Sequence, residues 1–205
     1  MKSPLCLIQQ AAASNPHLTA IQWGSSLITY DELDRIVSET CQNLSQLGIQ
    51  DGAVVSFQYS NSWRLIALLF ALFRKQAIAA PLSIWLPQGL VLAQRKQLGL
   101  HRWLEPAMIE SLIPNRSVLA ASFAESSFSQ PATLLFTSGS SGVPKAALHS
   151  QIQNFLSAMG SNEHIGLEKG DRWLLNLPLY HVGGLAILFR CFLSGATVVL
   201  PDEMN

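Results

Sequence analysis

The chain has 205 residues, of which 13% are charged and 49% are hydrophobic, and 13 Lys and Arg balance 13 Asp and Glu. This charged fraction is about half that of an ordinary globular domain, and the hydrophobic content excludes intrinsic disorder. Because the net charge is zero and no basic run is present, the composition also excludes an ordinary nucleic-acid binder.

Short β-type runs alternate with helical stretches along the chain, which predicts an α/β fold with a layered αβα sheet. The predicted strands are 20–23, 26–29, 53–57, 77–80, 101–104, 117–121, 133–136, 146–149, 173–177 and 197–200. The predicted helices are 4–13, a helix opened by residues 29–32 and closed at Gly48, 62–74, 87–98, one from Ser150 and one within 184–193.

Local signals mark several of these boundaries. Thr29 and Glu32 have the spacing of a capping box, and the helix that follows carries an apolar face extending to Leu47. Asn61 is predicted to cap the next helix. The stretch 122–130 is linker-like and predicts a possible boundary within the domain.

Membrane and disulfide signals are weak. The apolar run 65–73 is far shorter than the roughly 20 residues of a spanning helix. Cys6, Cys41 and Cys191 are widely spaced and odd in number, as in reduced thiols. We therefore predict a cytoplasmic protein without a membrane span. The low charge further predicts an exposed apolar face that promotes self-association.

The segment TSGSSGVPK, residues 137–145, has the composition of a phosphate-binding loop. Glycines allow the backbone to approach an anion closely, amides and hydroxyls donate to phosphate oxygens, and a lysine adds positive charge. The segment is neither a Walker A loop nor a dinucleotide GxGxxG motif. A flexible turn between two strands is the alternative, but the preceding Thr and the Pro-Lys pair favour phosphate binding.

This loop resembles the phosphate-binding signature of the adenylate-forming superfamily, which includes acyl-CoA synthetases, peptide-synthetase adenylation domains and firefly-type luciferases. Ser141 replaces the usual Thr, Ala146 replaces a usual Gly, and Gln76 replaces another in the similar stretch 61–82. The similarity extends over nearly the whole chain. It implies that residues 1–205 form the N-terminal portion of a large adenylation domain, without the remainder of that domain or the mobile C-terminal domain.

A second motif, LPLYHVGGLAILFR at residues 177–190, is similar to the superfamily's signature beside the acyl pocket. The resemblance implies that His181 is a catalytic and substrate-binding residue and that Gly183 contacts the substrate. The continuation after Gly184 resembles the 2-succinylbenzoate–CoA ligases of menaquinone and phylloquinone biosynthesis. The small-molecule partner implied is thus a carboxylic acid, with 2-succinylbenzoate as the expected one.

The superfamily joins a carboxylate to the α-phosphate of ATP and then transfers the acyl group to the thiol of coenzyme A. The resemblance implies that Mg²⁺ arrives with ATP, and no protein-only metal cluster is evident among the five histidines. It assigns a catalytic role to Lys145, which adds positive charge. The remaining phosphate-binding residues that it implies are Thr137, Ser138, Gly139, Ser140, Ser141 and Gly142.

Arg190 is the only formal charge between Trp173 and Pro201. A buried guanidinium is costly without an anionic partner, so the sequence leaves two interpretations open. One is an internal salt bridge or a side chain that extends to solvent. The other is a contact, direct or through water, with the second carboxylate of a dicarboxylic aromatic acid.

Three other functions stay open at this level. The chain could belong to another acyl- or aryl-CoA synthetase or an amino-acid adenylation domain, to a Ser-Ser-Lys amidase, or to a non-catalytic nucleotide-binding protein. The amidase is disfavoured because no upstream lysine has a supporting context. Since the superfamily's later motifs have no counterpart here, we expect the chain alone to form no acyl-CoA.

Overall fold

The computed structural model describes residues 6–117, 129–137 and 145–201. Its helices are α1 Leu7–Ser14, α2 Tyr30–Gln46, α3 Trp63–Arg74, α4 Gln88–Gln97, α5 Pro106–Leu112, α6 Gln151–Ile165 and α7 Val182–Ser194. Its strands are β1 Thr19–Trp23, β2 Ser26–Thr29, β3 Val54–Gln58, β4 Ile78–Leu82, β5 Arg102–Leu104, β6 Pro131–Thr137, β7 Lys145–Ser150, β8 Arg172–Leu174 and β9 Thr197–Leu200.

The strands divide into two sheets, with orders β2-β1-β9-β8 and β5-β3-β4-β6-β7. Within each sheet the neighbouring strands are parallel except in the hairpins β1–β2 and β6–β7. The predicted α/β class is therefore confirmed. The division into two sheets was not part of the prediction, because it depends on pairing between distant strands such as β1 and β9.

A single apolar core joins both sheets and the helices packed on them. Phe70 of α3 lies 5.8 Å from Phe189 and 5.4 Å from Phe192 of α7, measured between ring centroids. Tyr30, at the start of α2, donates a hydrogen bond of 2.6 Å to the carbonyl of Ala196. Burial raises the pKa of the Tyr30 hydroxyl, so this hydroxyl stays a donor. These contacts fix the axis of α7, which carries the second motif.

The capping box at Thr29 and Glu32 is confirmed, with both reciprocal hydrogen bonds present. The predicted cap at Asn61 is wrong: the Ser62 hydroxyl accepts from the Leu65 amide and begins α3. Leu47 is not on the buried face, because it lies beyond the end of α2 and is 38% exposed.

Other boundaries shift. Helix α5 was not predicted, and only 173–174 of the expected strand 173–177 lie within an observed strand, β8. Three predicted segments lie partly outside the described residues. They are the first two residues of the helix 4–13, most of the strand 117–121 and most of the linker-like stretch 122–130. In the part of the chain that is described, no helix is both long and apolar enough to cross a membrane.

Gln76, where the superfamily that the sequence resembles usually has glycine, follows α3 in a left-handed conformation with φ 57°. Its amide donates to Phe73 and its carbonyl accepts from Gly52, so the turn is held from both sides. An L-residue is strained in this region of backbone space, whereas glycine is not. The departure from the superfamily pattern therefore has a local energetic cost.

Candidate functional site

The hairpin β6–β7 brings the two ends of the glycine- and serine-rich loop together. Thr137 and Lys145 are paired across the two strands, and the Thr137 hydroxyl donates to the Lys145 carbonyl at 3.3 Å. Both residues are exposed. The predicted phosphate-binding residues between them lie outside the described residues: Ser138, Gly139, Ser140, Ser141 and Gly142. The loop therefore leaves and re-enters the sheet at a single point that presents a hydroxyl and an ammonium group.

An open cavity of about 510 Å³ adjoins this point. Its walls come from β6, β7 and the beginning of α7, and the lining residues are Leu135, Phe136, Thr137, Ala147, His149, His181 and Val182. Thr137 and His181 come from the two separate sequence motifs. The structure thus brings together predicted site residues that are 44 positions apart in the sequence.

His149 is not among the site residues selected from the sequence, yet it lines the same cavity. It lies four residues after Lys145 on β7, and side chains at even spacing share one face of a strand. This alternation was the signal that could have found it. Its Nδ1 is buried without a hydrogen-bond partner among the described residues, as is the hydroxyl of its cross-strand neighbour Thr133. Both atoms are buried, so neither is presented on the cavity surface.

His181 occupies the position just before α7 and is exposed toward the cavity. Its amide donates to the Pro178 carbonyl at 3.1 Å, and its carbonyl accepts from the Gly184 amide at 3.1 Å. Its ring lies 4.6 Å from that of Tyr180 in an edge-on arrangement. The backbone on both sides of His181 is thus held by hydrogen bonds.

The two glycines after His181 allow α7 to begin directly on the turn that precedes it. A methyl group added at Gly184 would lie 2.3 Å from the carbonyl oxygen of Pro178. One added at Gly183 would lie 2.9 Å from a methyl carbon of Leu177. Sequence reasoning selected Gly183 for the site, but Gly184 makes the closer approach to backbone.

Arg190 lies on α7, nine residues after His181 and about 13 Å further along the helix axis. Its guanidinium carbon is 5.8 Å from the centroid of the Trp173 ring, and no acidic side chain among the described residues forms an ion pair with it. Its Nε is buried without a hydrogen-bond partner in the same ranges. Arg190 is not among the residues that line the His181 cavity, so the structure places it beside Trp173 instead.

A metal centre made by the protein alone was not expected. Within residues 6–117, 129–137 and 145–201, no group of three or more His, Cys, Asp or Glu side chains is placed to hold a metal ion. The polar side chains that line the cavity carry a hydroxyl and two imidazoles, and Thr137, which bears the hydroxyl, is paired with Lys145 across the hairpin. This set suits an anionic ligand with its own counter-ion better than a bare cation.

A family model described as "AMP-binding enzyme" matches residues 8–97 and 92–205. The 2-succinylbenzoate–CoA ligase of Bacillus cytotoxicus is 30% identical over 97% of this chain and 43% of its own length. The chain thus spans less than half the length of this relative.

Two solved structures of the Bacillus subtilis o-succinylbenzoate CoA synthetase have the same fold. The complex with the acyl-adenylate intermediate has a TM-score of 0.84 at 24% identity, over 97% of this chain and 56% of that chain. The complex with ATP and magnesium ion has a TM-score of 0.84 at 22% identity, over 97% of this chain and 57% of that chain.

Proposed function

Because the chain belongs to the AMP-binding enzyme family, we propose that the protein containing it uses ATP to activate a carboxylic acid and then forms an acyl-CoA thioester. The acid attacks the α-phosphate of ATP, which gives an acyl-adenylate and releases pyrophosphate. The thiol of coenzyme A then attacks the acyl carbon and releases AMP. The observation that carries the proposal is that Thr137, which is paired with Lys145 across the hairpin, lines one cavity together with His181.

Phosphate binding is the task we assign to the loop and its ends. The Thr137 hydroxyl and the Lys145 ammonium group stand at the same point of the hairpin, where they can bind phosphate oxygens and neutralise their charge. We assign the hydroxyls and amides of residues 138–142 to the same phosphates, and Pro144 to stiffening the loop exit. When bound with ATP, Mg²⁺ would neutralise further phosphate charge.

Acid binding is the task we assign to the cavity beside His181. Its walls combine the apolar side chains of Leu135 and Phe136 with two imidazoles, which suits an aromatic or apolar acid with one polar end at the phosphate loop. His181 would contact the carboxylate or its adenylate, and Gly183 would leave room for it. Catalysis here consists mainly of positioning and of stabilising charge that develops on the phosphate.

We propose 2-succinylbenzoate as the acid. It carries one carboxylate to be activated and a second one to be held, and the B. cytotoxicus relative is named for this substrate. Arg190, which packs beside Trp173 outside the lining of this cavity, would hold the second carboxylate directly or through water, because its guanidinium has no acidic partner among the described residues. Unchanged activity of Arg190→Ala with 2-succinylbenzoate would contradict this assignment.

The experiment is ATP–pyrophosphate exchange with the complete gene product and a panel of acids: 2-succinylbenzoate, simple benzoates, fatty acids and amino acids. We expect exchange with 2-succinylbenzoate. The exchange rate should fall about 100-fold in Lys145→Ala and stay unchanged in Lys96→Ala, which replaces a matched exposed lysine on α4. Exchange with an amino acid or another acid alone would support a different adenylating enzyme. No exchange with any acid would leave a non-catalytic nucleotide-binding protein.

The purified chain alone is expected to release no AMP and to form no acyl-CoA, because it spans under half of its relative's length. Detectable ATP-dependent AMP release by the chain would contradict this. We also propose a cytoplasmic location, supported by the free cysteines Cys6, Cys41 and Cys191.

A further inference from the structure

Asn61 makes two hydrogen bonds to a backbone segment more than a hundred residues away in sequence. Its side-chain Nδ2 donates to the Leu177 carbonyl at 2.9 Å, and its Oδ1 accepts from the Leu179 amide at 3.0 Å. Leu179 is fully buried. Since both ends of the amide are used on the same turn, the orientation of Asn61 and the path of that turn determine each other.

The cap of α3 does not use Asn61. Asn61 and Ser62 both have side chains suited to a helix cap. The cap is Ser62, whose hydroxyl accepts from the Leu65 amide. The amide of Asn61 is therefore committed to the distant turn. Substitutions at positions 61 and 62 therefore test the contact with the distant turn and the helix cap separately.

The turn held by Asn61 leads directly into His181. The His181 amide donates to Pro178, the residue between the two that Asn61 contacts, and Gly184 packs against the same Pro178 carbonyl. A displacement of this turn must therefore move His181 and the first turn of α7 with it.

Asn61 also connects the two halves of the candidate site. It lies three residues after the end of β3. In this sheet β3 is parallel to β4, and β4 is parallel to β6. Strand β6 ends at Thr137, at the same carboxyl edge of the sheet. The turn 177–181, in contrast, leaves the other sheet after β8. Asn61 thus ties His181 to the sheet edge from which the phosphate loop extends.

We propose that Asn61 is a positioning residue, which holds His181 in register with the phosphate loop by clamping the turn 177–179. The proposal rests on the function proposed above and names a residue on which the geometry of that site depends. Without the clamp, the buried Leu179 amide loses its only described acceptor and the turn is free to shift. A shift of about 1 Å in a reacting group is enough to lower a rate about 100-fold.

Three variants separate this role from a general structural one. Asn61→Ala removes both hydrogen bonds, and Asn61→Asp keeps the acceptor for Leu179 while losing the donor to Leu177. Ser62→Ala is the matched control, because it removes the neighbouring helix cap and leaves the clamp intact.

The first measurement is amide hydrogen exchange of this chain by NMR. We expect the Leu179 amide to exchange at least about tenfold faster in Asn61→Ala and to be protected again in Asn61→Asp. Exchange at Leu68, in the middle of α3, should not follow this order. Unchanged exchange at Leu179 in Asn61→Ala would overturn the clamp.

The second measurement is the steady-state kinetics of the complete gene product with its acid. We expect Asn61→Ala to lower kcat/KM for the acid about 10- to 100-fold, with KM for ATP changed less than about twofold and partial recovery in Asn61→Asp. Ser62→Ala should lower the unfolding temperature and leave kcat/KM unchanged. An equal kinetic loss in Ser62→Ala, or none in Asn61→Ala, would overturn the positioning role.

The two measurements also separate this inference from the proposed function. If the wild-type gene product activates no acid, the proposed function fails. The exchange at Leu179 then decides by itself whether Asn61 holds the turn before His181.

Discussion

Replacing Gly184 by alanine tests how tightly α7 rests on the turn before it. The added methyl carbon would lie 2.3 Å from the Pro178 oxygen, 2.7 Å from the Pro178 carbonyl carbon and 2.9 Å from the Leu177 oxygen. All three are backbone atoms, so no side-chain rotation relieves the contact. The helix and the turn must separate by roughly 1 Å to reach an ordinary contact distance.

The expected cost combines two opposing contributions. Overpacking of this kind costs about 3 kcal/mol, whereas alanine is better than glycine in a helix by about 1 kcal/mol. A net loss of about 2 kcal/mol lowers the unfolding temperature of a chain of this size by about 4–8 °C. Thermal unfolding followed by circular dichroism measures this directly.

The matched control is Gly160→Ala, in the middle of α6. A methyl group there would meet nothing within 4 Å, so only the helix-propensity gain remains. We expect its unfolding temperature to rise by about 2–4 °C. Gly183→Ala should fall between the two, because its contact is with the end of a flexible, exposed leucine. An unfolding temperature of Gly184→Ala at or above that of the wild type would refute this reasoning.

Four further predictions concern stability and association. Arg74→Ala should lower the free energy of unfolding, measured with urea, by about 3 kcal/mol. The buried guanidinium forms an ion pair with Asp34, and Asp34 would lose this partner. Gln76→Gly should raise the free energy of unfolding by up to about 1 kcal/mol by removing left-handed strain. Burial raises the pKa of Cys191 from 9.0 to about 12, so the unfolded chain ionises first. The contribution of the neutral Cys191 thiol to the free energy of unfolding should therefore be fully present below about pH 9 and be lost toward about pH 12. Urea midpoints measured across this range should decline less steeply in Cys191→Ala. Exposed apolar side chains such as Leu156 should make the sedimentation coefficient depend on protein concentration, and this dependence should be weaker in Leu156→Glu. A strictly monomeric chain would contradict this.

Local chemistry made part of the fold predictable. The capping box at Thr29 and Glu32 needs only residues three apart, and the sequence contains all the information for it. The choice between Asn61 and Ser62 as a cap needs more, because both residues can accept the bond. It was decided by the distant turn that takes the Asn61 amide, and no local pattern records that contact.

The arrangement of the site was only partly predictable for the same reason. The two motifs identify Thr137 and His181, but nothing between them indicates that their strand and helix meet at one cavity. His149 was missed because a lone histidine is usually structural, although its spacing from Lys145 placed it on the same strand face. The division into two sheets likewise depends on the pairing of β1 with β9.

The pairing of β1 with β9 has a consequence for how the chain folds. Ile21 lies opposite Val198, so the hairpin at the beginning of the chain meets its parallel neighbour only after some 175 further residues have been synthesised. At about 5–20 residues per second, that delay is roughly 10–35 s. During it, one edge of β1 remains unpaired on the nascent chain, while β3 and β4, separated by a single helix, can associate early. The second sheet is thus expected to form during translation, before the first sheet closes.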